Sequence, residues 1–487
     1  MEIFPAGTTL SCAGLLPPYR EDRDVRLIPS DEEGTLLTPD WFASLILVEI
    51  HPETATPEGT LAALLPALDH LAAMGVNGVW LTPIYKKGGG NGYGNGGPHT
   101  LEPSLTGTED EAEGWRRVAD FVSEAHRRNI RVFLDVISWG TVRSAPLLRE
   151  HPDWFSGEAW GGAAFDWQNS EFRSWFIGVC VENILKTGAD GYRCDCEPMY
   201  SGYRVFAEVR ARLLASGRKI AVIAEESSER RGTYDCEQDG VTDWIGWSRG
   251  QQYAAPRAYF LEGENLVECV KSGRLHGDAA SQQAGTAGQN RFYTYCVSSH
   301  DYQLSLANGN RLAFGYQAIF APYLPLWYLG SELGQEQRTR QVIYFVPTDW
   351  SLLEGEENRA FCADLTRYIR IRRTFPDLFE AFPLNHREAN IAALMCETEL
   401  PAYARFGDSH AVLVVPRKEE EASSFAVEAH LPELGLPAAG EYRLTDLLNG
   451  GSVPFERAGE RLRFEAAIPR KNALGVYHLE LEKESTH

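Results

Sequence analysis

The stretch Ile130-Arg-Val-Phe-Leu-Asp-Val-Ile137 is apolar at almost every position, which is typical of a strand that is buried on both faces. Just before it, Trp115, Val118, Val122 and Ala125 recur at helical spacing. A helix that leads directly into a buried strand is the unit from which parallel sheets are built. This stretch therefore predicts an α/β protein.

The same alternation continues in both directions along the chain, from about residue 40 to 375. Thr108 and Glu111 have the spacing of a capping box at the start of the helix described above. The predicted strands are Leu45–Ile50, Gly78–Thr82, Ile130–Ile137, Gly191–Cys194, Ile220–Ala224, Val241–Ile245, Tyr293–Val297 and Leu324–Leu329. Eight such units predict a (β/α)8 TIM barrel with insertions.

The pattern changes after about residue 380, where short strands are separated by turns rich in Pro, Gly and Asn. These strands are Val412–Val415, Ser424–His430, Tyr442–Leu448, Leu462–Ala466 and Val476–Leu481. They predict a C-terminal antiparallel β-sandwich. The resulting division is an N-terminal extension (1–39), a catalytic barrel (40–380) and an all-β domain (381–487).

Composition limits the possible partners. The 487 residues include 46 Lys and Arg against 68 Asp and Glu, a formal net charge of −22, which argues against nucleic acid and anionic membranes. The N-terminus lacks the features of a signal peptide, and the nine cysteines have no metal-type spacing, so a cytoplasmic protein with reduced thiols is expected. The apolar stretch Leu312–Gly330 is interrupted by Pro322 and Pro325 and predicts a buried helix and strand.

The glycine-rich stretch Gly88–Gly97 follows a predicted strand, so a phosphate-binding loop has to be considered. It lacks a Gly-Lys-Ser/Thr ending, and Lys86 and Lys87 precede the glycines instead of following them. A loop at the rim of the barrel is the better interpretation.

Polar side chains stand at the predicted C-terminal strand ends, where a barrel of this kind carries its chemistry. The main candidates are Asp135, Arg193, Asp195, Glu225, His300 and Asp301. Weaker candidates are Glu49, His51, Asp243 and Glu332. For any single acid a helix cap or a solvated rim position is the simpler explanation, but together these carboxylates should converge over one opening.

The fourth predicted strand separates two faces. Arg193 and Asp195 share one face, and Cys194 and Cys196 share the other, because side chains alternate along a strand. A nearby arginine is expected to lower the pKa of Asp195, which suits a nucleophile. Glu225 follows an apolar strand, and such surroundings are expected to raise its pKa, which suits a general acid. Two carboxyls in opposed environments are the arrangement of glycoside hydrolysis.

Six segments in the right order resemble the α-amylase family of retaining glycoside hydrolases. They are Gly75-Val-Asn-Gly-Val-Trp-Leu-Thr-Pro83 with Gly92-Tyr93, Leu134-Asp135-Val-Ile137, Gly191-Tyr-Arg-Cys-Asp195, Val222-Ile-Ala-Glu225, Val297-Ser-Ser-His-Asp301, and Leu324-Pro-Leu-Trp-Tyr-Leu-Gly-Ser-Glu-Leu-Gly334. The resemblance implies Asp195 as nucleophile, Glu225 as acid/base and Asp301 as transition-state stabiliser. It also implies that Arg193, His300, Tyr93 and Asp135 bind substrate or support the site.

The chain departs from the family where an Asn-His pair usually ends the third-strand segment. Trp139 and Gly140 stand there, and a Trp cannot ligate the calcium that the Asn holds in many relatives, so no metal or other cofactor is expected. Trp139 is either an aromatic platform for substrate or a core residue under the third loop. The lobe that relatives insert after the third strand is also predicted to be very short.

The function expected from these features is a retaining α-glycosidase that hydrolyses α-linked, gluco-type oligosaccharides through a covalent glycosyl-enzyme. One alternative is a glucanotransferase or oligosaccharide synthase that uses a sugar acceptor. A second is a non-catalytic sugar-binding homologue, which is less favoured because all three acids are present. Metal-dependent hydrolysis is disfavoured because no ligand cluster has the required spacing. The sequence leaves the oligomeric state open.

Overall fold

A closed barrel of eight parallel strands forms the centre of the molecule, which is described by a computed structural model covering residues 38–89, 92–195, 205–225, 236–237, 292–300, 310–335, 346–380 and 390–482. The strands described before residue 330 are β1 (Leu47–Ile50), β2 (Gly78–Leu81), β3 (Tyr85–Lys87), β4 (Asn95–Leu101), β5 (Arg131–Ile137), β6 (Gly140–Thr141), β7 (Phe155–Ala159), β8 (Gly162–Phe165), β9 (Gly191–Asp195), β10 (Ala221–Ala224), β11 (Cys236–Glu237), β12 (Phe292–Cys296) and β13 (Leu324–Tyr328). The barrel runs β1-β2-β5-β9-β10-β11-β12-β13 and closes on β1. The predicted TIM barrel is confirmed.

Helices cover the outside of the barrel. The longer ones are α1 (Leu65–Met74), α2 (Glu111–Arg127), α3 (Ser170–Thr187), α4 (Val205–Ala215) and α5 (Glu356–Thr374). Shorter helical segments are Asp40–Ser44, Pro52–Ala55, Leu61–Leu64, Pro103–Thr106, Pro146–Glu150, Pro152–Trp154, Asn310–Ala313, Phe314–Ile319, Ser331–Leu333, Trp350–Glu354, Pro376–Phe379 and Leu431–Leu434. Their apolar faces and the outward-facing strand residues form one large core.

The lower half of the barrel interior is a separate apolar core. Leu47, Phe133, Ile223 and Leu326 point inward from four strands and pack together. Phe42, from the short helix that precedes β1, joins this cluster from below. The N-terminal end of the barrel is therefore filled by side chains, and polar chemistry is confined to the opposite end.

Two small sheets lie beyond the C-terminal ends of the barrel strands. Strands β3 and β4 form an antiparallel pair. The Gly88–Gly97 stretch, predicted as a loop, is therefore part of a β-hairpin. After β5, the predicted short lobe is a three-stranded sheet in the order β6-β8-β7.

The C-terminal part is all-β, as predicted, and its strands are antiparallel. Its strands are β14 (Ile391–Ala393), β15 (Met395–Cys396), β16 (Tyr403–Phe406), β17 (His410–Arg417), β18 (Ser424–His430), β19 (Tyr442–Asp446), β20 (Phe455–Ala458), β21 (Arg461–Ala467) and β22 (Ala473–Leu481). They form one sheet ordered β14-β16-β17-β22-β19 and another ordered β15-β18-β21-β20. The apolar residues between the two sheets form a core of their own.

A buried arginine joins this β domain to the barrel. Arg405, on β16, donates from Nη1 to the carbonyl oxygen of Phe320 at 3.0 Å and from Nη2 to Oδ1 of Asn390 at 2.7 Å. Close by, the Tyr316 hydroxyl donates to the carbonyl oxygen of Pro401 at 2.7 Å. These bonds fix the helical segment Phe314–Ile319, which precedes β13, against the β domain.

Two sequence predictions about elements are wrong. The sixth barrel strand is β11, which comes before the predicted Val241–Ile245, a range outside the described residues. Helix α2 is capped by Asp110, whose side chain accepts from the amide of Glu113 at 2.9 Å, and not by Thr108. Asp110 directly precedes the first helical residue and is two residues nearer to it than Thr108, so its carboxylate can reach the free amides of the first turn.

The long apolar stretch near residue 320 divides into short helical segments and strand β13, as predicted. None of the helices in the described part of the chain combines the length and the hydropathy that a membrane span needs.

Candidate active site

Strand register brings the predicted polar residues together at the C-terminal end of the barrel. Asp135 on β5 lies opposite Arg193 on β9, and Ile137 lies opposite Asp195. Because side chains alternate, Arg193 and Asp195 face the barrel interior, while Cys194 is buried in the outer core. The sequence predicted this separation for Arg193, Asp195 and Cys194, and the predicted Cys196 lies outside the described residues.

Arg193 is the residue on which the acids converge. Its Nη1 donates to Oδ1 of Asp195 at 2.8 Å and approaches Oδ2 of Asp135 at 3.3 Å. Its Nη2 lies 3.2 Å from Oε1 of Glu225, which follows β10. The guanidinium carbon also lies 4.6 Å from the ring centre of Trp80. One fully buried cation therefore contacts three carboxylates from three neighbouring strands.

Asp135 is the most enclosed of these acids and is held on several sides. Its Oδ2 accepts from Nε1 of Trp80 at 2.9 Å and from the hydroxyl of Tyr93 at 2.8 Å. Burial raises the pKa of Asp135 to about 6, although Arg193 favours the ionised form. Asp135 therefore fixes Arg193 and Tyr93 and is not itself open to solvent.

The pKa of Asp195 contradicts the sequence expectation. Burial raises it well above the usual value, and the neighbouring Glu225 carboxylate raises it further, while Arg193 opposes both effects. The expectation considered only Arg193 and neglected the second carboxylate, which contacts the same guanidinium. Two acids beside one cation resist ionising together, so the pair favours holding one proton.

His300 is held by an acid from the first strand. Its Nδ1 lies 2.5 Å from Oε1 of Glu49, and its backbone amide donates to Oε2 of the same carboxylate at 3.1 Å. The imidazole stacks on the ring of Tyr93, with centroids 4.6 Å apart and planes at 15°. Sequence reasoning ranked Glu49 low. The available signal was an acid in a strand that is apolar at its other positions.

Trp139 lies beside this cluster, at the start of the small sheet. Ser138 donates its amide and its hydroxyl to the carbonyl oxygen of Asp195, at 3.1 and 2.8 Å. The Trp139 ring lies against Gly162 and is partly exposed. An indole provides no oxygen ligand, so this position does not fit the calcium of related sites. Among the described residues, no group of three or more His, Cys, Asp and Glu side chains could hold a metal ion.

The structure brings together six of the predicted site residues: Asp135, Arg193, Asp195, Glu225, His300 and Tyr93. Asp301 and Asp243 lie outside the described residues. Of the weaker candidates, His51 pairs with the Thr82 hydroxyl and Glu332 accepts from Trp327 and from the amide of Gly330. Glu225 is the more open of the two central acids, with 20% of its side chain exposed against 9% for Asp195. A largely buried carboxylate beside a more exposed one can perform nucleophilic and acid/base chemistry.

Comparison with known proteins agrees with the fold. The family model described as "Alpha amylase, catalytic domain" matches residues 27–150. A malto-oligosyltrehalose trehalohydrolase of Deinococcus radiodurans is 25% identical over 337 residues, which are 60% of this chain and 54% of that protein. An alpha-1,4-glucan:maltose-1-phosphate maltosyltransferase of Streptomyces coelicolor is 25% identical over 479 residues, 87% of this chain and 65% of that protein. The chain thus spans about half to two thirds of the length of these relatives.

Solved α-amylase structures share the whole architecture. The maltogenic α-amylase AmyB of Thermotoga neapolitana superposes with a TM-score of 0.66 at 18% identity, covering 90% of this chain and 99% of that one. The α-amylase of Geobacillus thermoleovorans superposes with a TM-score of 0.67 at 17% identity, covering 91% and 99%. The chain therefore has the fold of α-amylases, and its residues 27–150 match the catalytic-domain model of the family that the sequence resembles.

Proposed function

We propose that the protein is a retaining α-glycosidase that acts on α-linked gluco-oligosaccharides. The observation that carries the proposal is the shared contact of Asp195 and Glu225 with one buried guanidinium, that of Arg193. The acids end neighbouring strands, so both can face one glycosidic bond. The names of the relatives supply the substrate class, because they refer to malto-oligosyltrehalose, α-1,4-glucan and cyclomaltodextrin.

In the proposed mechanism, Glu225 protonates the glycosidic oxygen while Asp195 attacks the anomeric carbon. The bond to the leaving sugar breaks and a covalent β-glycosyl ester forms on Asp195. Glu225, now ionised, takes a proton from water, which attacks the ester and releases the sugar with the α configuration restored. Each carboxylate ends the cycle in the protonation state in which it began.

The roles follow from the surroundings of each acid. Asp195 lies 2.8 Å from Nη1 of Arg193, and this bond orients its oxygen and favours the ionised form. Glu225 is more exposed than Asp195. This suits a group that gives a proton to the leaving group and later takes one from water. The stacked pair of Tyr93 and His300 provides a flat surface for the reacting sugar. Asp301 remains the proposed third acid on the basis of its motif, and Trp139 remains a proposed contact.

Transfer to a sugar acceptor is the second candidate. The maltosyltransferase relative matches 87% of this chain, a larger share than the trehalohydrolase does. Transfer uses the same glycosyl-enzyme and differs only in what attacks it, so the cluster around Arg193 serves both reactions equally. A labelled acceptor sugar that appears in the product identifies a transferase.

A substrate screen with product analysis tests the proposal. α-Linked glucose disaccharides and oligosaccharides are incubated with the protein, and the anomer first released is determined by NMR. The proposal expects cleavage with release of the α-anomer. Release of the β-anomer, or no cleavage and no transfer with any member of the set, contradicts it.

A further inference from the structure

A strained and exposed tryptophan occupies the tip of the small sheet beside the site. Ala159 on β7 pairs with Gly162 on β8, so Trp160 and Gly161 form a two-residue turn. Both have left-handed backbone angles, with φ of 50° at Trp160 and 78° at Gly161. The Trp160 side chain is 77% exposed. The protein thus presents its largest side-chain type to solvent from an unfavourable backbone conformation.

The fold itself does not explain this choice of residue. Tight hairpin turns with positive φ at both central positions favour Asn-Gly, because asparagine tolerates the left-handed region. A bulky residue there is an outlier, and an exposed indole gains little from burial in the core. Strain of this kind that persists in a folded protein points to a role outside stability.

The turn is connected to the candidate active site through backbone hydrogen bonds and a ring contact. Ser138 is hydrogen-bonded to the carbonyl oxygen of Asp195, and Trp139 follows it directly. The carbonyl oxygen of Trp139 accepts from the amide of Phe165 on β8, and the Trp139 ring lies against Gly162 at the base of the turn. Trp139 therefore links the end of β9, which carries Asp195, to the base of the turn that carries Trp160.

We infer that Trp160, together with Trp139, forms an outer binding site for sugar units of the substrate beyond the one that reacts. This inference rests on the proposed function, and its ligand is an α-linked gluco-oligosaccharide. The C–H face of a pyranose ring packs against the face of an indole, and such packing needs no charge. A neutral ligand also fits a chain with a formal net charge of −22.

The surroundings of Trp160 leave room for such a ligand. Gly157 and Gly161 have open space where a Cβ would lie, so no side chain of theirs screens the turn. Glu158, on β7, forms an exposed ion pair with Arg143, which follows β6, and this pair offers polar groups to a ligand at the turn. Aromatic faces combined with a few polar groups are typical of ligand sites.

The test exploits the strain, because one substitution should change stability and binding in opposite directions. Trp160→Asn places the favoured Asn-Gly pair in the turn, so its apparent melting temperature should rise by about 1–3 °C. Its affinity for maltoheptaose, measured by titration calorimetry in an Asp195→Asn background that prevents turnover, should fall about tenfold. Affinity for maltose should fall much less, because maltose is too short to reach both subsites.

Two control variants separate this site from general surface effects. Met395→Asn removes the other large exposed apolar side chain found among the described residues, 55% exposed on the β domain, and should leave maltoheptaose binding unchanged. Trp160→Phe keeps an aromatic face and should retain part of the affinity. Trp160→Ala removes the ring without installing the favoured turn residue, so its binding should fall as in Trp160→Asn.

Equal affinity of Trp160→Asn and its parent for maltoheptaose overturns the inference, as does an absence of maltoheptaose binding in the parent. Loss of self-association in Trp160→Asn with unchanged sugar binding also overturns it and assigns the indole to a contact between copies. The proposed function is judged separately, from the products of the wild-type protein. Its failure and the failure of the outer site can therefore be distinguished.

Discussion

At the residue scale, Arg193 determines the electrostatics of the site. It is fully buried and holds Asp135, Asp195 and Glu225 within 3.3 Å of its terminal nitrogens. Planar guanidinium can donate to several carboxylates in fixed directions, which the point charge of lysine cannot do. The arginine and its acids therefore work as one unit, in which the protonation of each group depends on the others.

The pH dependence of the reaction tests this coupling. Burial and Glu225 raise the pKa of Asp195, so the wild-type rate should fall with decreasing pH at a value above that of an ordinary aspartate, about 3.9. In Glu225→Gln a negative neighbour is lost, so the pKa of Asp195 should decrease. The acidic limb of the pH–rate profile should then move to lower pH. The burst of fluoride from α-glucosyl fluoride, whose leaving group needs no protonation, measures the limb in both proteins. If the acidic limb of the profile stays at the same pH in Glu225→Gln, or moves to higher pH, the coupling is contradicted.

Glu49 is expected to act as a positioning residue for His300. Both of its carboxylate oxygens contact this histidine, one at Nδ1 and one at the backbone amide. Glu49→Gln keeps the shape but removes the charge, so kcat/KM should fall about tenfold and the imidazole pKa, followed by NMR, should decrease. Glu53→Gln is a matched control, because Glu53 lies in the short helix that follows β1 and pairs with His51 and Lys87. Unchanged imidazole titration in Glu49→Gln would rule out the role.

At the element scale, long periodic elements were predictable and short ones were not. Strand β5 agrees with the predicted range to within one residue at each end. Strand β11 has two residues, which is too short to carry an apolar pattern, so the prediction moved to a more apolar stretch nearby. The hairpin of β3 and β4 was missed because glycines suppress the strand signal that its backbone nevertheless satisfies.

The cap of helix α2 gives a prediction at this scale. Asp110 bonds the Glu113 amide, whereas the Thr108 hydroxyl accepts only from the amide of Asp110. Asp110→Ala should therefore lower the free energy of unfolding by about 1 kcal/mol, and Thr108→Ala should lower it by less. Chemical denaturation of the two variants measures the difference. A larger loss in Thr108→Ala would restore the capping box that the sequence suggested.

At the scale of the whole molecule, the sequence could predict which residues lie at strand ends. It could not predict which of their side chains contact one another. The barrel rule placed Asp135, Arg193, Asp195 and Glu225 at one end of the fold, and the structure brings them to one guanidinium. The pairing of Glu49 with His300 joins residues 251 positions apart and depends on closure between β1 and β12 through β13. Such contacts follow from three-dimensional closure and have no local pattern.

The junction between barrel and β domain is held by polar bonds that no sequence pattern revealed. Arg405→Met would leave the carbonyl oxygen of Phe320 and Oδ1 of Asn390 without this donor, at a cost of about 1–3 kcal/mol for each buried group. Its calorimetric transition should move down by several degrees or split in two. Arg443→Met removes an exposed ion pair with Glu480 and should change little. Equal transition temperatures in Arg405→Met and Arg443→Met would show that Arg405 does not join the barrel to the β domain.

The covalent intermediate on Asp195 is the most direct test of the proposed reaction. Glu225→Gln is incubated with α-glucosyl fluoride, quenched and digested, and the peptides are analysed by mass spectrometry. We predict a hexosyl mass increase on the peptide that contains Asp195, and no such increase in the double variant Asp195→Asn/Glu225→Gln. Fluoride release without this adduct, or with the adduct on another peptide, would contradict the assignment of Asp195 as the nucleophile.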